Sequence, residues 1–259
     1  MIDNIGGAAI HNGSRLLILE DNTLLMTTGD ASDTSTSQDL SNLNGKFLRF
    51  NLDGTIPANN PNPNSYVYSF GHRNAQGLTL GTNGIIYSSE HGPTSDDELN
   101  IIEMNRNYGW PTVAGFCNTT NEQNFCNANN VVEPLRAWTP TLAVAGLAYY
   151  DNPAIPEWQN NLLLCNLKER DIRLLQLSED GLQIVGEEIY LNNEFGRFRA
   201  ICTAPDGRVF ISTSNNDAYG TPGQGDDKIV QLKSRKVFQA SSTTACAGDM
   251  ITFEDVVGF

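Results

Sequence analysis

Residues 77–88 read Gly77-Leu78-Thr79-Leu80-Gly81-Thr82-Asn83-Gly84-Ile85-Ile86-Tyr87-Ser88. This is a short apolar run, a tight turn and a second apolar run. Asn-Gly supplies the positive φ that a short hairpin turn needs. The same design stands at Arg15–Leu19 and Thr23–Thr27 around Asp21-Asn22, and at Arg199–Cys202 and Arg208–Ser212 around Asp206-Gly207. Asn22 and Asn83 are 61 residues apart, and Asn83 and Asp206 are 123 apart, about twice that. The period predicts a further hairpin between Tyr149 and Leu164, where Leu147–Tyr150 and Asn161–Leu164 flank a Pro-containing turn.

A second series of runs follows the hairpins: Gly45–Phe50, Asp97–Ile102, Asp171–Leu177 and Asp227–Leu232. They alternate as half-exposed strands do. Four all-β units of about 60 residues predict a β-propeller rather than a sandwich. The expected organisation is 1–236 as propeller and 237–259 as a linker opening a second domain.

Composition sets the partners aside first. Sixteen basic residues against thirty acidic ones give a net charge of −14. A nucleic acid or an anionic membrane surface attracts the opposite balance. No stretch approaches the length of an apolar membrane span. The start, Met1-Ile2-Asp3-Asn4, has no signal-peptide pattern. Cys117 and Cys126 sit nine apart in a polar segment and are expected to close a small disulfide hairpin in an oxidising compartment. Cys165 and Cys202 lie in apolar runs and are expected to be buried.

Against that acidic background, Arg73, Lys168, Arg197 and Arg199 all fall at strand ends. Converging, they would hold an anion with several carboxylates or phosphates. Arg197 and Arg199, two apart on one strand, would otherwise pair with surface acids.

The ordered motifs resemble a known family. They are His11-x-x-x-Arg15, Thr27-Thr28-Gly29-Asp30, Gly71-His72-Arg73-Asn74-x-Gln76-Gly77-Leu78, Glu90-His91-Gly92-Pro93-x-x-Asp96-Asp97-Glu98-Leu99-Asn100, Asn107-Tyr108-Gly109-Trp110-Pro111, Leu167-Lys168 and Arg197-x-Arg199. From His11 to about Ser234 the chain is similar to the soluble quinoprotein sugar dehydrogenases, the glucose/sorbosone dehydrogenase type. The resemblance implies a β-propeller of the six-bladed quinoprotein type, with about four blades present and N-terminal ones absent. It implies pyrroloquinoline quinone and Ca2+ as cofactors and oxidation of an aldose at its C1 hydroxyl.

By that resemblance His11 is the general base and Asp30 the carboxylate that orients it. Arg73 and Asn74 lie beside the quinone oxygens, with Arg73 placed to stabilise developing negative charge. Lys168, Arg197, Arg199 and the Thr141 hydroxyl bind the cofactor. The Gly92 and Pro93 carbonyls ligate a catalytic calcium, and Glu98 and the Tyr108 carbonyl a structural one. Ile10 stands where glucose-oxidising members carry an aspartate, and the shorter aldose branch fits better. The tail from Phe238 resembles the start of a polycystic-kidney-disease-type β-sandwich. Together these imply a periplasmic or secreted enzyme with a small-molecule sugar substrate and an external electron acceptor. The competing reading is a non-catalytic carbohydrate-binding or adhesion propeller.

Overall fold

In the computed structural model, residues 2–82, 84–233, 235–240 and 253–258 are described. Fifteen strands form four antiparallel sheets in chain order. The first holds β1 (Leu16–Ile18), β2 (Thr23–Thr28), β3 (Lys46–Asn51) and β4 (Val67–Phe70). The second holds β5 (Ala75–Leu80), β6 (Ile86–Glu90), β7 (Asp97–Ile101) and, after the helix α1 (Thr120–Asn129), β8 (Arg136–Trp138). The third holds β9 (Val144–Tyr150), β10 (Asn161–Asn166), β11 (Ile172–Leu177) and β12 (Ile184–Tyr190). The fourth has three strands, β13 (Phe198–Thr203), β14 (Val209–Thr213) and β15 (Ile229–Leu232). The hairpin expected between Tyr149 and Leu164 is the β9–β10 pair, with Leu163 opposite Ala148. Asn83 lies outside the described residues.

The third sheet shows how consecutive apolar residues are used. Leu162, Leu163, Leu164 and Cys165 are all fully buried. Successive side chains on a strand point to opposite faces, so such a run needs cover on both. Leu162 and Leu164 enter a core shared with Tyr87 and Leu99 of the second sheet. Leu163 and Cys165 enter one shared with Phe198, Val209 and Ile211 of the fourth. A further core joins Leu25, Phe47 and Tyr68 of the first sheet to Ala75 and Ile86 of the second.

Each core lies between successive sheets, and this corrects the expected architecture. The domain is all-β, but its four sheets do not close into a propeller. Among the described residues no apolar core joins the fourth sheet to the first. Leu16 and Ile18 on β1 are 62% and 61% exposed, and Ile229 on β15 is 78% exposed. The repeat specifies each sheet and its next neighbour. Closure relates the first sheet to the last, and no local pattern encodes it.

Two further expectations change. Cys117 and Cys126 are disulfide-bonded, but the segment between them forms a helix rather than a hairpin. Thr119 and Glu122 form a reciprocal capping box that satisfies each other's backbone N–H groups. Cys202 is exposed, whereas Cys165 is buried as expected. Cys202 alternates onto the uncovered face of the fourth sheet, away from Val209 and Ile211. The strands β16 (Arg235–Ala240) and β17 (Phe253–Gly258) pair antiparallel as a separate sheet. Residues 241–252 of the tail, Cys246 among them, lie outside the described residues.

Candidate functional site

The polar motifs gather where β5, β9 and β13 begin and where β2 and β6 end. His11 packs on the turn after β2. A Cβ at Gly29 would stand 1.9 Å from the His11 carbonyl oxygen, so only glycine permits the approach. The His11 Nδ1 lies 2.8 Å from Asp30 Oδ1. Asp30 is fully buried. It also accepts hydrogen bonds from the Trp110 indole N–H at 2.9 Å and the Ser32 amide at 2.8 Å. Burial pushes its carboxyl upward, but the bonds from His11, Ser32 and Trp110 outweigh this and hold it below the usual carboxylate range.

Arg73 adjoins this group. Its carbonyl accepts the Asp30 amide at 2.8 Å, and its guanidinium sits 5.3 Å from the centre of the Trp110 ring. One guanidinium nitrogen donates to the His91 carbonyl, while the buried Nε has no partner. Burial lowers the Arg73 pKa against the pull of Asp30, Glu90 and Asp97. The Glu90 carboxylate accepts the backbone N–H groups of Arg73 and Asn74 and contacts His72 Nδ1. The Asn74 Oδ1 accepts from the Gly13 amide and the Gln76 side chain, which ties the segment after His11 to β5.

Gly92, Pro93, Glu98 and Tyr108 line one narrow cavity together with Arg73 and Glu90. Its volume of about 10 Å³ has room for roughly one water-sized particle. Burial, reinforced by Glu90, pushes the Glu98 carboxyl up to about 8. Glu98 also accepts the Gly115 amide and an Asn100 side-chain N–H. The Tyr108 hydroxyl donates to the Ile101 carbonyl, and burial raises its pKa. Among the described residues no group of three or more His, Cys, Asp or Glu side chains could hold a metal ion. A cation here would depend on backbone oxygens such as those of Gly92 and Pro93.

The third and fourth sheets supply the remaining residues. The Lys168 Nζ donates to the Thr141 carbonyl at 2.8 Å, so two of the expected residues meet. Arg199 is half-buried and, among the described residues, forms no ion pair. Burial lowers its pKa, Asp217 opposes this and Arg197 adds to it. Arg197 differs, because its Nε and one terminal nitrogen bind Asp217 Oδ2 at 3.0 and 2.9 Å. It is already neutralised. His91 links the two halves. Burial lowers its pKa against the pull of Asp97, with Arg199 and Arg73 as nearby like charges, and its Nε2 is buried without a partner.

The structure thus gathers His11, Asp30, Arg73 and Asn74, pairs Thr141 with Lys168, and sets Gly92, Pro93, Glu98 and Tyr108 around one cavity. Trp110, Glu90 and Asp97 were not legible as site residues. They stand inside motifs quoted above, but their role is to hold other residues, and spacing does not reveal that. A roomier cavity of about 630 Å³ touches Thr79, Tyr149, Asn152 and Cys202 at the opposite ends of β5, β9 and β13, away from this chemistry.

Comparison with known proteins covers the stretch of chain that holds these residues. The family described as Glucose / Sorbosone dehydrogenase matches residues 4–220. An uncharacterized protein of Synechocystis is 36% identical over 226 residues, covering 80% of this chain and 54% of its own length. An aldose sugar dehydrogenase of Escherichia coli is 30% identical, with coverages of 80% and 58%. The PQQ-bound aldose sugar dehydrogenase of Streptomyces coelicolor superposes with a TM-score of 0.76 at 33% identity, over 88% of this chain and 64% of that one. The chain therefore spans a little over half the length of these two curated relatives.

Proposed function

The chain belongs to the glucose/sorbosone dehydrogenase family, and from that premise we propose that it is a quinoprotein oxidoreductase. Its substrate class is aldose sugars, oxidised at the C1 hydroxyl, with pyrroloquinoline quinone and Ca2+ as cofactors. The observation that carries the proposal is that Arg73, Lys168 and Arg199 form no ion pair among the described residues of a chain with 30 acidic side chains. Cations left without carboxylates suit a ligand that brings its own.

The donor set fits that ligand. The orphaned Arg73 Nε offers a hydrogen bond, Lys168 and Arg199 offer positive charge, and the Gly92 and Pro93 carbonyls offer the hard oxygen ligands that Ca2+ takes. When bound, the quinone supplies a hydride acceptor that no side chain can replace. The chain's own work is proton transfer and orientation. With Nδ1 tied to Asp30, His11 has Nε2 free to take the hydroxyl proton. Asp30 balances the charge His11 then gains, and the Trp110 N–H keeps Asp30 in place. Arg73 stands where negative charge on an adjacent oxygen would be stabilised. The family relationship and the disulfide support a periplasmic or extracellular setting and an external electron acceptor.

Reconstituting the whole chain with pyrroloquinoline quinone and Ca2+ and following dye reduction across a panel of aldoses tests the proposal. Aldose-dependent reduction supports it; cofactor uptake with no reduction by any aldose refutes the catalytic part.

A further inference from the structure

Asp97 opens β7 and is 1% exposed, yet no ion pair among the described residues includes it. A buried carboxylate without a cation is costly unless donors satisfy it. Three backbone N–H groups do so. Oδ1 accepts from Gly92 at 2.9 Å, and Oδ2 accepts from Leu142 at 2.8 Å and Val144 at 3.2 Å. These donors belong to two separate segments, the β6–β7 loop within the second sheet and the turn that enters β9 of the third. Between the last two sits Ala143 at φ 54, a left-handed conformation that is unfavourable for a residue with a Cβ. Oδ2 therefore clasps a strained turn from both sides.

The turn contains one candidate cofactor residue, Thr141, and holds a second, Lys168, from the β10–β11 loop. The Leu142 carbonyl accepts the Lys168 amide at 3.0 Å, and the neighbouring Thr141 carbonyl accepts the Lys168 Nζ. On the other side, Gly92 is confined by the backbone beneath it, where a Cβ would stand 2.0 Å from the Ser95 carbonyl oxygen. One carboxylate thus spans the gap between the Gly92-Pro93 carbonyls and the Thr141-Lys168 corner.

We infer that Asp97 is a positioning residue: it sets the separation of these two halves of the site and so controls cofactor affinity without touching the cofactor. The inference deepens the proposed function and rests on it for the identity of the ligand.

The test compares wild type, Asp97→Asn and Asp97→Glu in the whole chain. The amide of Asn replaces one acceptor oxygen by a donor, so one of the two loops loses its tie. Glu keeps the charge and both acceptors but displaces them by a methylene, and it serves should the Asn variant not fold. Backbone hydrogen exchange is expected to accelerate at His91 and Gly92 or at 142–144 or both, with β2 and β3 unchanged. Titration with pyrroloquinoline quinone in Ca2+ is expected to show about ten-fold weaker binding, as for loss of a charged hydrogen bond. In a Lys168→Ala background the same replacement should cost clearly less, because Lys168 is what Asp97 positions. Unchanged exchange at both loops, a uniform rise across all sheets, or fully additive effects with Lys168→Ala would each overturn the inference. If the wild-type chain takes up no quinone, the proposed function fails, and the exchange pattern by itself decides whether Asp97 ties the two loops.

Discussion

The cations on the outer strands of the second and third sheets and those at the inner loops live under opposite rules. Arg173 on β11 meets both Asp171 and Glu187, and Arg136 on β8 reaches the same Glu187 at 3.6 Å. Each outer charge is matched by a neighbour in the folded chain. Arg73, Lys168 and Arg199, at the inner loops, have no such match, although acidic residues outnumber basic ones nearly two to one. Arg73 and Arg199 are moreover lowered in pKa by burial. Folding alone would favour the outer arrangement. The inner one suits the proposed function, in which a ligand with its own carboxylates would supply the counter-charge.

His11 provides the largest expected effect and separates chemistry from binding within the inner region. His11→Ala should lower dye reduction by about 10²–10⁴-fold, with quinone affinity within a few-fold of wild type. A loss of affinity in proportion to activity would show His11 to be part of the binding set instead. Next, Arg199→Gln should weaken quinone binding by about ten- to a hundred-fold, the value of a charged hydrogen bond or two, without lowering the thermal unfolding midpoint. Arg173→Gln should do the reverse. It takes the nearest cation from two carboxylates, costs about 1–3 kcal/mol of stability, and leaves quinone affinity unchanged. If both variants behaved alike, the contrast between the regions would fail.

Acid titration reaches the inner region by another route. The Asp30 carboxyl is held below its ordinary value. Its contribution to stability is therefore full above about pH 4, the unfolded value, and is lost as pH falls through the lower folded value. Asp30→Asn should flatten that part of a plot of unfolding midpoint against pH. The smallest expected effect concerns Arg197, the inner cation that obeys the outer rule. Asp217→Asn would free its guanidinium and should tighten quinone binding by about three-fold, within the range of an exposed ion pair. Weaker binding would place Asp217 among the groups the site needs.

Much of this was legible in the chain itself. The turn residues and the 61-residue spacing located the hairpins, because Asn-Gly and Asp-Gly act locally. The His11, Asp30 and Arg73 motifs fall together because they end or begin strands that lie side by side. The outer strands β4, β8 and β12 are not legible: β4 and β8 are only four and three residues long, and Gly186-Glu187-Glu188 interrupts the apolar residues of β12. The capping box at Thr119 was overlooked in a segment with no apolar periodicity. The repeat alone does not encode closure, for a different reason: every repeat looks alike whether or not the last meets the first. The pairing of Arg197 with Asp217 was undecidable too, because the two are 20 residues apart and only the turn after β14 brings them together.

The most direct measurement is a titration of the whole chain with pyrroloquinoline quinone in Ca2+, at low and high salt, for wild type and for the combined Arg73→Gln, Lys168→Gln and Arg199→Gln variant. Saturable binding in the wild type that weakens with salt and disappears in the triple variant is the predicted result. Binding of equal affinity in the two proteins would contradict it.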